Sequence, residues 1–327
     1  MDDRRDPCDN SDGFRSGAIL AGMALAAGAL MLGPTVFALR ARSHVPQDGE
    51  LVEIEGRRLH VRDWGQGPPI VMIHGLGGQM RNFSYALTDR LQDRHRIILI
   101  DRPGAGYSQA ARDGSELRVQ ARIIAQAIRT LGIVRPLIVG HSLGGAVALA
   151  IALDNPGIAG GLALIAPLTQ TPDVPAWLAS PPLRSRWAHR LLARATPPLL
   201  LALQGAGFAQ RAFAPEVMPG NFTIEGGGEL TLAPDTLAAA LGDAAGLTDE
   251  LPSLVTRYGN LNVPVDILFG DRDAILDPAL HGRCTAEQMP GARLLIVSGG
   301  HMLPVTQPDL VAAWLSEAQA RIIPHHA

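Results

Sequence analysis

One short stretch confines this chain to a narrow set of folds. Pro136 to Val139 is a brief apolar run, the pattern of a strand buried on both faces of a parallel sheet. Ala146 to Leu153 is rich in Ala and Leu, the composition of a packed helix. Between them stands Gly140-His141-Ser142-Leu143-Gly144, a G-x-S-x-G. A serine on so sharp a strand-to-helix turn has a strained backbone and a projecting hydroxyl. The residues two before and two after it must be nearly without side chains, or the turn would clash. The helix that follows points its positive end at the serine, where an anion could be held. Such a motif also arises by chance, but here strand, turn and helix come in order.

The chain has 327 residues, enough for a membrane segment and one large α/β domain with an insertion. Its net charge is −3, which gives no reason to expect a nucleic-acid partner. Every basic residue is arginine, a compositional habit without functional content. Two cysteines, Cys8 and Cys284, cannot make a disulfide framework. There is no CxxC, no HExxH and no other cluster with ligand spacing, so neither a metal nor a cofactor is expected.

Residues 17–39 are uncharged for 23 positions, a length that spans a hydrocarbon core of roughly 30 Å as a helix. The expectation is an uncleaved membrane anchor between a tail (1–16) and a polar linker (40–49). The alternative is a signal peptide cleaved near Ala38 to Ala41. Arginines flank both ends, so orientation is nearly undetermined; by default the tail is cytoplasmic and the large domain lies outside. The protein is thus expected in the membrane as a single-pass protein, with the membrane as a partner through 17–39.

Beyond the linker, Leu51 to Ile54 and Leu59 to Trp64 alternate apolar and polar residues around Glu55-Gly56-Arg57, an edge hairpin. Apolar runs at Ile70 to Ile73, Ile97 to Ile100, Leu162 to Ala166, Val263 to Phe269 and Arg293 to Val297 read as further strands. Helical spacing recurs over Asn82 to Leu91, Leu117 to Leu131 and Pro308 to Ile322. Strands alternating with helices imply a mainly parallel sheet covered on both faces. From Leu168 to Asn260 the strands stop and a Pro-rich, helix-like insertion takes over.

Over residues 50–323 the chain resembles the α/β-hydrolase fold superfamily. The resemblance rests on His74-Gly75 after the third strand, Asp101-Arg102-Pro103-Gly104-Ala105-Gly106-Tyr107-Ser108 after the fourth, and the serine turn. A G-x-x-D follows the seventh strand and Gly-Gly-His the eighth. It implies an α/β fold with a mostly parallel eight-stranded sheet and helices on both faces. The core would comprise 50–167 and 261–323, with 168–260 as a helical cap.

Serine needs a base. Of ten histidines, His44, His325 and His326 lie in or near tails. His60 and His95 lie in or near strands, His189 and His281 in helix-like stretches, and His74 and His141 beside glycine turns. His301 remains, in a flexible loop at a strand's carboxyl end, where catalytic groups gather in open α/β sheets. For the orienting acid, Gly270-Asp271-Arg272-Asp273 offers two candidates. The superfamily's spacing selects Asp273; Asp271 remains the alternative, with an Asx-turn as its structural reading. The resemblance further implies an oxyanion hole from the backbone N–H groups of Leu76 and Leu143.

These readings imply a serine hydrolase acting on a small-molecule carboxylic ester with an apolar acyl group. Val174 to Leu178, Leu183, Trp187, Leu191, Leu192 and Leu199 to Leu203 of the insertion are candidates to line an acyl pocket. A C–C bond hydrolase of diketones, a cofactor-free haloperoxidase or perhydrolase, and a non-catalytic binding protein on the same fold are the alternatives.

Overall fold

A computed structural model of the protein describes residues 33–111, 116–172, 185–196 and 198–322, with the backbone alone for 198–204. Eight strands form one sheet: β1 (Glu50–Ile54), β2 (Arg57–Trp64), β3 (Pro69–Ile73), β4 (Arg96–Ile100), β5 (Leu137–His141), β6 (Gly161–Ile165), β7 (Val265–Gly270) and β8 (Arg293–Val297). Their order is β1-β2-β4-β3-β5-β6-β7-β8. β1 and β2 form an antiparallel hairpin, and β2 is antiparallel to β4. β3 to β8 run parallel. The hairpin turns on Glu55 and Gly56, both at positive φ (52° and 71°), the geometry that matches the twist of paired strands.

The central strands read as unbroken apolar runs because each feeds two cores. Val71 and Ile73 of β3, Ile98 and Ile100 of β4, Ile138 of β5, Leu162 and Leu164 of β6, and Ile267 of β7 enter one core. Ile70, Met72, Ile97, Leu99, Val139, Ala163 and Leu268, their neighbours one residue away, enter the other. That is the two-residue period of a strand with both faces covered.

Residues 33–44 are helical (α1). The first core is roofed by α2 (Leu117–Thr130) and α3 (Leu143–Asp154). Between β6 and β7 the chain carries α4 (Arg186–Ala195), α5 (Pro198–Phe213) and α6 (Pro234–Val255). The second core is covered by Phe83, Leu87 and Leu91 and by α7 (Pro308–Ala320). The helix expected over Asn82 to Leu91 is instead a helical turn at Arg81–Ser84 and a 3₁₀ turn at Thr88–Arg90. Its apolar residues, four apart, still face the sheet.

The membrane anchor expected at 17–39 is corrected. Residues 17–32 lie outside the described residues, and no helix among the described residues is long and apolar enough to cross a membrane. This overturns the expected single-pass location. The described end of that segment belongs to α1, whose Ala41 is buried with Val45 and Leu230, beside Phe37 and Tyr107. Tyr107 Oη donates to the Val45 carbonyl (2.6 Å), and His44 Nδ1 meets Glu229 Oε2 at 2.8 Å. Within the described end of the run only Phe37 joins this cluster, while Val36 and Leu39 are exposed.

The insertion is closed at its base. Tyr258, fully buried just before β7, donates its hydroxyl to the Thr169 carbonyl just after β6 (2.6 Å). Burial pushes the pKa of that phenol up, so it remains a donor at any working pH. Tyr258→Phe would strand a buried carbonyl. We expect a loss of about 1–3 kcal/mol in urea denaturation with an unchanged m-value; a loss below about 0.5 kcal/mol would show that the bond does not hold the base shut.

Candidate active site

The site is built at the carboxyl ends of β3, β4, β5, β7 and β8. Ser142 separates β5 from α3 and has φ 55° and ψ −123°, a conformation that non-glycine residues rarely adopt. Close packing holds it there. A Cβ at Gly144 would fall 2.1 Å from the Ile73 carbonyl oxygen, and one at Gly140 would fall 2.4 Å from that of Gly144. The two glycines are therefore obligatory for the reason read from the sequence: the turn can close only where no side chain intervenes. Ser142 N–H donates to the Ile165 carbonyl of β6 (3.0 Å), which anchors the turn to the next strand.

His301 follows β8 and is buried. Its Nδ1–H donates to Asp273 Oδ2 at 2.6 Å. The other carboxylate oxygen, Oδ1, accepts from the Ile275 and Leu276 amides (2.8 and 2.9 Å), so the acid is held at both ends. Asp271 does not meet His301: its Oδ1 accepts from Gly299 N–H (3.0 Å), and it lies near Arg272 at the surface. Of the two acids left open by the sequence, Asp273 is the one in contact with the imidazole. No hydrogen bond joins Ser142 Oγ to His301. The rings of His301 and His141, the residue before Ser142, lie 4.8 Å apart.

Leu76 and Leu143 flank the same serine. Leu143 opens α3, so its N–H has no carbonyl one turn earlier to bond. Leu76 follows Gly75, where an added Cβ would sit 2.9 Å from Ser142 Cβ and 3.4 Å from its Oγ.

Two histidines, placed from sequence only beside glycine turns, have specific partners. His141 Nε2–H donates to the His301 carbonyl (3.0 Å), tying the serine turn to the histidine loop. His74 Nδ1–H donates to the Gly75 carbonyl (2.9 Å), while its Nε2 accepts from Arg102 N–H (2.9 Å). Burial, helped by nearby positive charge on Arg102, pushes His74 down to about 3. Burial and the neighbouring His301 do the same to His141, also to about 3. Burial thus keeps both rings neutral near pH 7, and for His74, whose Nε2 accepts, the bonding itself requires it. Glu216 of the insertion was not foreseen; its Oε2 accepts from Gly300 N–H (3.0 Å), bracing the residue before His301.

The expected acyl-pocket residues divide. Val174 to Leu178 and Leu183 lie outside the described residues, as do the side chains of Leu199 to Leu203. Trp187 and Leu191 are 78 % and 71 % exposed and Leu192 is 39 % exposed, so these face solvent instead. A buried apolar cluster packs beside the site instead: Phe213 and Phe222 of the insertion with Met302 and Val305, near His301 in sequence.

The buried neutral histidines make stability depend on pH. Unfolded, each takes up its proton near pH 6.5; folded, only near 3. The unfolded chain therefore binds more protons between those limits, and stability is lost as pH falls from 6.5 toward 3. The slope reaches up to about 1.4 kcal/mol per pH unit for each ring. Asp243, whose carboxyl burial pushes up, acts in the opposite sense, its share weakening as pH rises. Urea denaturation at pH 7, 6 and 5 is expected to show a falling stability, and His141→Gln a shallower fall by one ring's share. An identical slope in the variant would mean that His141 does not stay neutral in the folded protein.

Residues 68–215 match the family model of the α/β hydrolase fold. An uncharacterized protein of Mycobacterium tuberculosis is 29% identical over 80% of this chain and 78% of its own length. The 2-hydroxy-6-oxo-6-phenylhexa-2,4-dienoate hydrolase of Burkholderia cepacia is 36% identical over 34% of this chain and 40% of its own. Among solved structures, a thermophilic esterase from Thermogutta terrifontis aligns with a TM-score of 0.68 at 24% identity, over 84% of this chain and 99% of that one. With its eight-stranded, mostly parallel sheet and the serine turn at the end of β5, the chain has the α/β-hydrolase fold.

Proposed function

We propose that the protein is a serine hydrolase that cleaves a carboxylic ester through an acyl-enzyme. The observation that carries this reading is the 2.6 Å bond from His301 to Asp273 beside a serine held at positive φ. Ser142 Oγ attacks the ester carbonyl as its proton passes to His301 Nε2. Asp273 holds the imidazole in the required tautomer and stabilises its charged form. The oxyanion accepts from the N–H groups of Leu76 and Leu143, each such donor contributing about 3 kcal/mol to barrier lowering. The alcohol departs with the proton from His301 Nε2. Water, deprotonated by the same nitrogen, then attacks the acyl carbon and releases the acid, and the proton returns to Ser142 Oγ. Attack on an sp³ carbon is disfavoured, because the serine ether formed there would resist water.

Residues 168–260 act in this reading as a cap on a core formed by 50–167 and 261–323. The cluster of Phe213, Phe222, Met302 and Val305 favours an apolar acyl group. A second reading, hydrolysis of a C–C bond in a diketone, is favoured by the likeness to the Burkholderia cepacia hydrolase, and the same three residues would serve it.

A fluorophosphonate is expected to label the wild type and not Ser142→Ala; an unlabelled, folded wild type would point to a binding protein. p-Nitrophenyl esters of increasing acyl length, assayed beside a diketone, separate the two hydrolytic readings. Asp273→Asn is expected to lower kcat about 10⁴-fold, as loss of the orienting carboxylate does in serine triads. Asp271→Asn should cost less than about tenfold. Comparable losses would remove Asp273 from the orienting role.

A further inference from the structure

Arg102 is almost wholly buried, yet it lies outside the proposed triad and its two oxyanion donors. Its guanidinium is spent on backbone and on the insertion. Nε donates to the His74 carbonyl (3.0 Å) and Nη2 to the Gly75 carbonyl (2.9 Å). Nη1 donates to Asp243 Oδ2 of α6 (2.8 Å) and to Gln120 Oε1 of α2 (2.5 Å). Gln120 Nε2 closes the ring on Asp243 Oδ1 (2.9 Å).

The Gly75 carbonyl is the other end of the peptide unit that carries the Leu76 N–H. That unit is planar and trans, so a donor that fixes the carbonyl direction also fixes the N–H direction, pointing the opposite way. Three donors converge on this oxygen: Arg102 Nη2, His74 Nδ1 and Gly78 N–H. A cationic donor at the carbonyl also polarises the peptide and strengthens its N–H as a donor. The partner peptide is held alike, since the Ser142 carbonyl, joined to Leu143 N–H, accepts from Gly145 and Leu168 (2.9 Å each). Only the Leu76 peptide is linked through a buried charge to the insertion.

We propose that Arg102 is a positioning residue for the Leu76 oxyanion donor, and that its pairing with Asp243 makes that donor's aim depend on the seating of α6. A second contact couples the same elements. Gln79 Nε2 and Asn82 Nδ2, just beyond Leu76, both donate to the Gly226 carbonyl of the insertion (3.3 and 3.0 Å). α6 also lies hard against the loop that carries Arg102: a Cβ at Gly104 would fall 2.6 Å from Ala239 Cβ. Displacing the insertion therefore pulls on the loop from which Leu76 projects. The inference rests on the serine-hydrolase reading above.

The test compares wild type, Asp243→Asn and Arg102→Lys, each confirmed as folded by near-UV circular dichroism. Asparagine keeps the shape of the anchor and removes its charge; lysine keeps the cation and cannot grip both carbonyls. Three quantities are measured: kcat, KM, and the ratio of inhibition constants for an alkyl trifluoromethyl ketone and the matching methyl ketone. Only the fluorinated ketone forms a stable oxyanion adduct on a serine. A fall in kcat of about tenfold or more with KM within about twofold is expected, with the ratio falling by the same factor. A merely structural role would lower the active fraction and leave the ratio unmoved, and that result would overturn the proposal. If either single variant fails to fold, the Arg102→Met/Asp243→Leu pair, which removes both buried charges together, carries the same expectation. Wild type that neither hydrolyses esters nor reacts with fluorophosphonate would instead overturn the serine-hydrolase reading, and this inference with it.

Discussion

The contact on which the candidate site depends is between two stretches of backbone: Gly144 of α3 and the Ile73 carbonyl of β3 lie closer than any side chain would allow. That approach lets α3 begin one residue after β5. It forces Ser142 into positive φ and leaves the N–H of Leu143 at an open helix end. It also brings the end of β3, and so Gly75, against Ser142. Neighbouring strands β3 and β5 are registered with Ile73 opposite Gly140, so the parallel sheet places both turns on one edge. The strain in Ser142 is sustained because β6, through the Ile165 carbonyl, and the glycines around it leave no relaxed alternative.

Around that turn, the ends of β3, β4, β5 and β8 are held by polar groups that are wholly or partly buried. Neutral His141 fixes the His301 carbonyl, neutral His74 fixes the Gly75 carbonyl, Glu216 braces Gly300, and Arg102 joins the β3 and β4 loops to α6. Each buried polar atom named here has a partner, which is the condition for such groups to rigidify a site instead of loosening it. The result is an arrangement in which donors are oriented before any ligand arrives, the state that electrostatic stabilisation of an oxyanion needs.

Much of this was legible in the chain. Strands showed as short apolar runs because both sheet faces are covered, and the β1–β2 hairpin showed as alternation because it lies at the edge. The serine turn was legible because its glycines answer to local sterics. His301 and the Asp271/Asp273 pair were legible as loop residues after strand patterns; the residues alone left two acids in one loop, and only the spacing implied by the resemblance selected Asp273. The Arg102–Asp243 pair joins positions far apart in sequence, and nothing local distinguishes a buried arginine from a surface one. Trp187 and Leu191 misled in the other direction, because apolar character says nothing about which side of a helix faces the core. The 17–39 segment was read from hydropathy alone, which counts apolar residues over a window; its described end belongs to α1, where Phe37 joins Ala41, Val45, Leu230 and Tyr107.

By itself the sequence determined the period of the strands, the identity of the residue at the tight turn and the small residues beside it, since these follow from sterics within a few residues. Only the tertiary structure decided which histidines are neutral braces and which charge reaches across from the insertion. Those depend on distances and burial between segments far apart in the chain, and dielectric environment is a property of the packed molecule that no single segment carries.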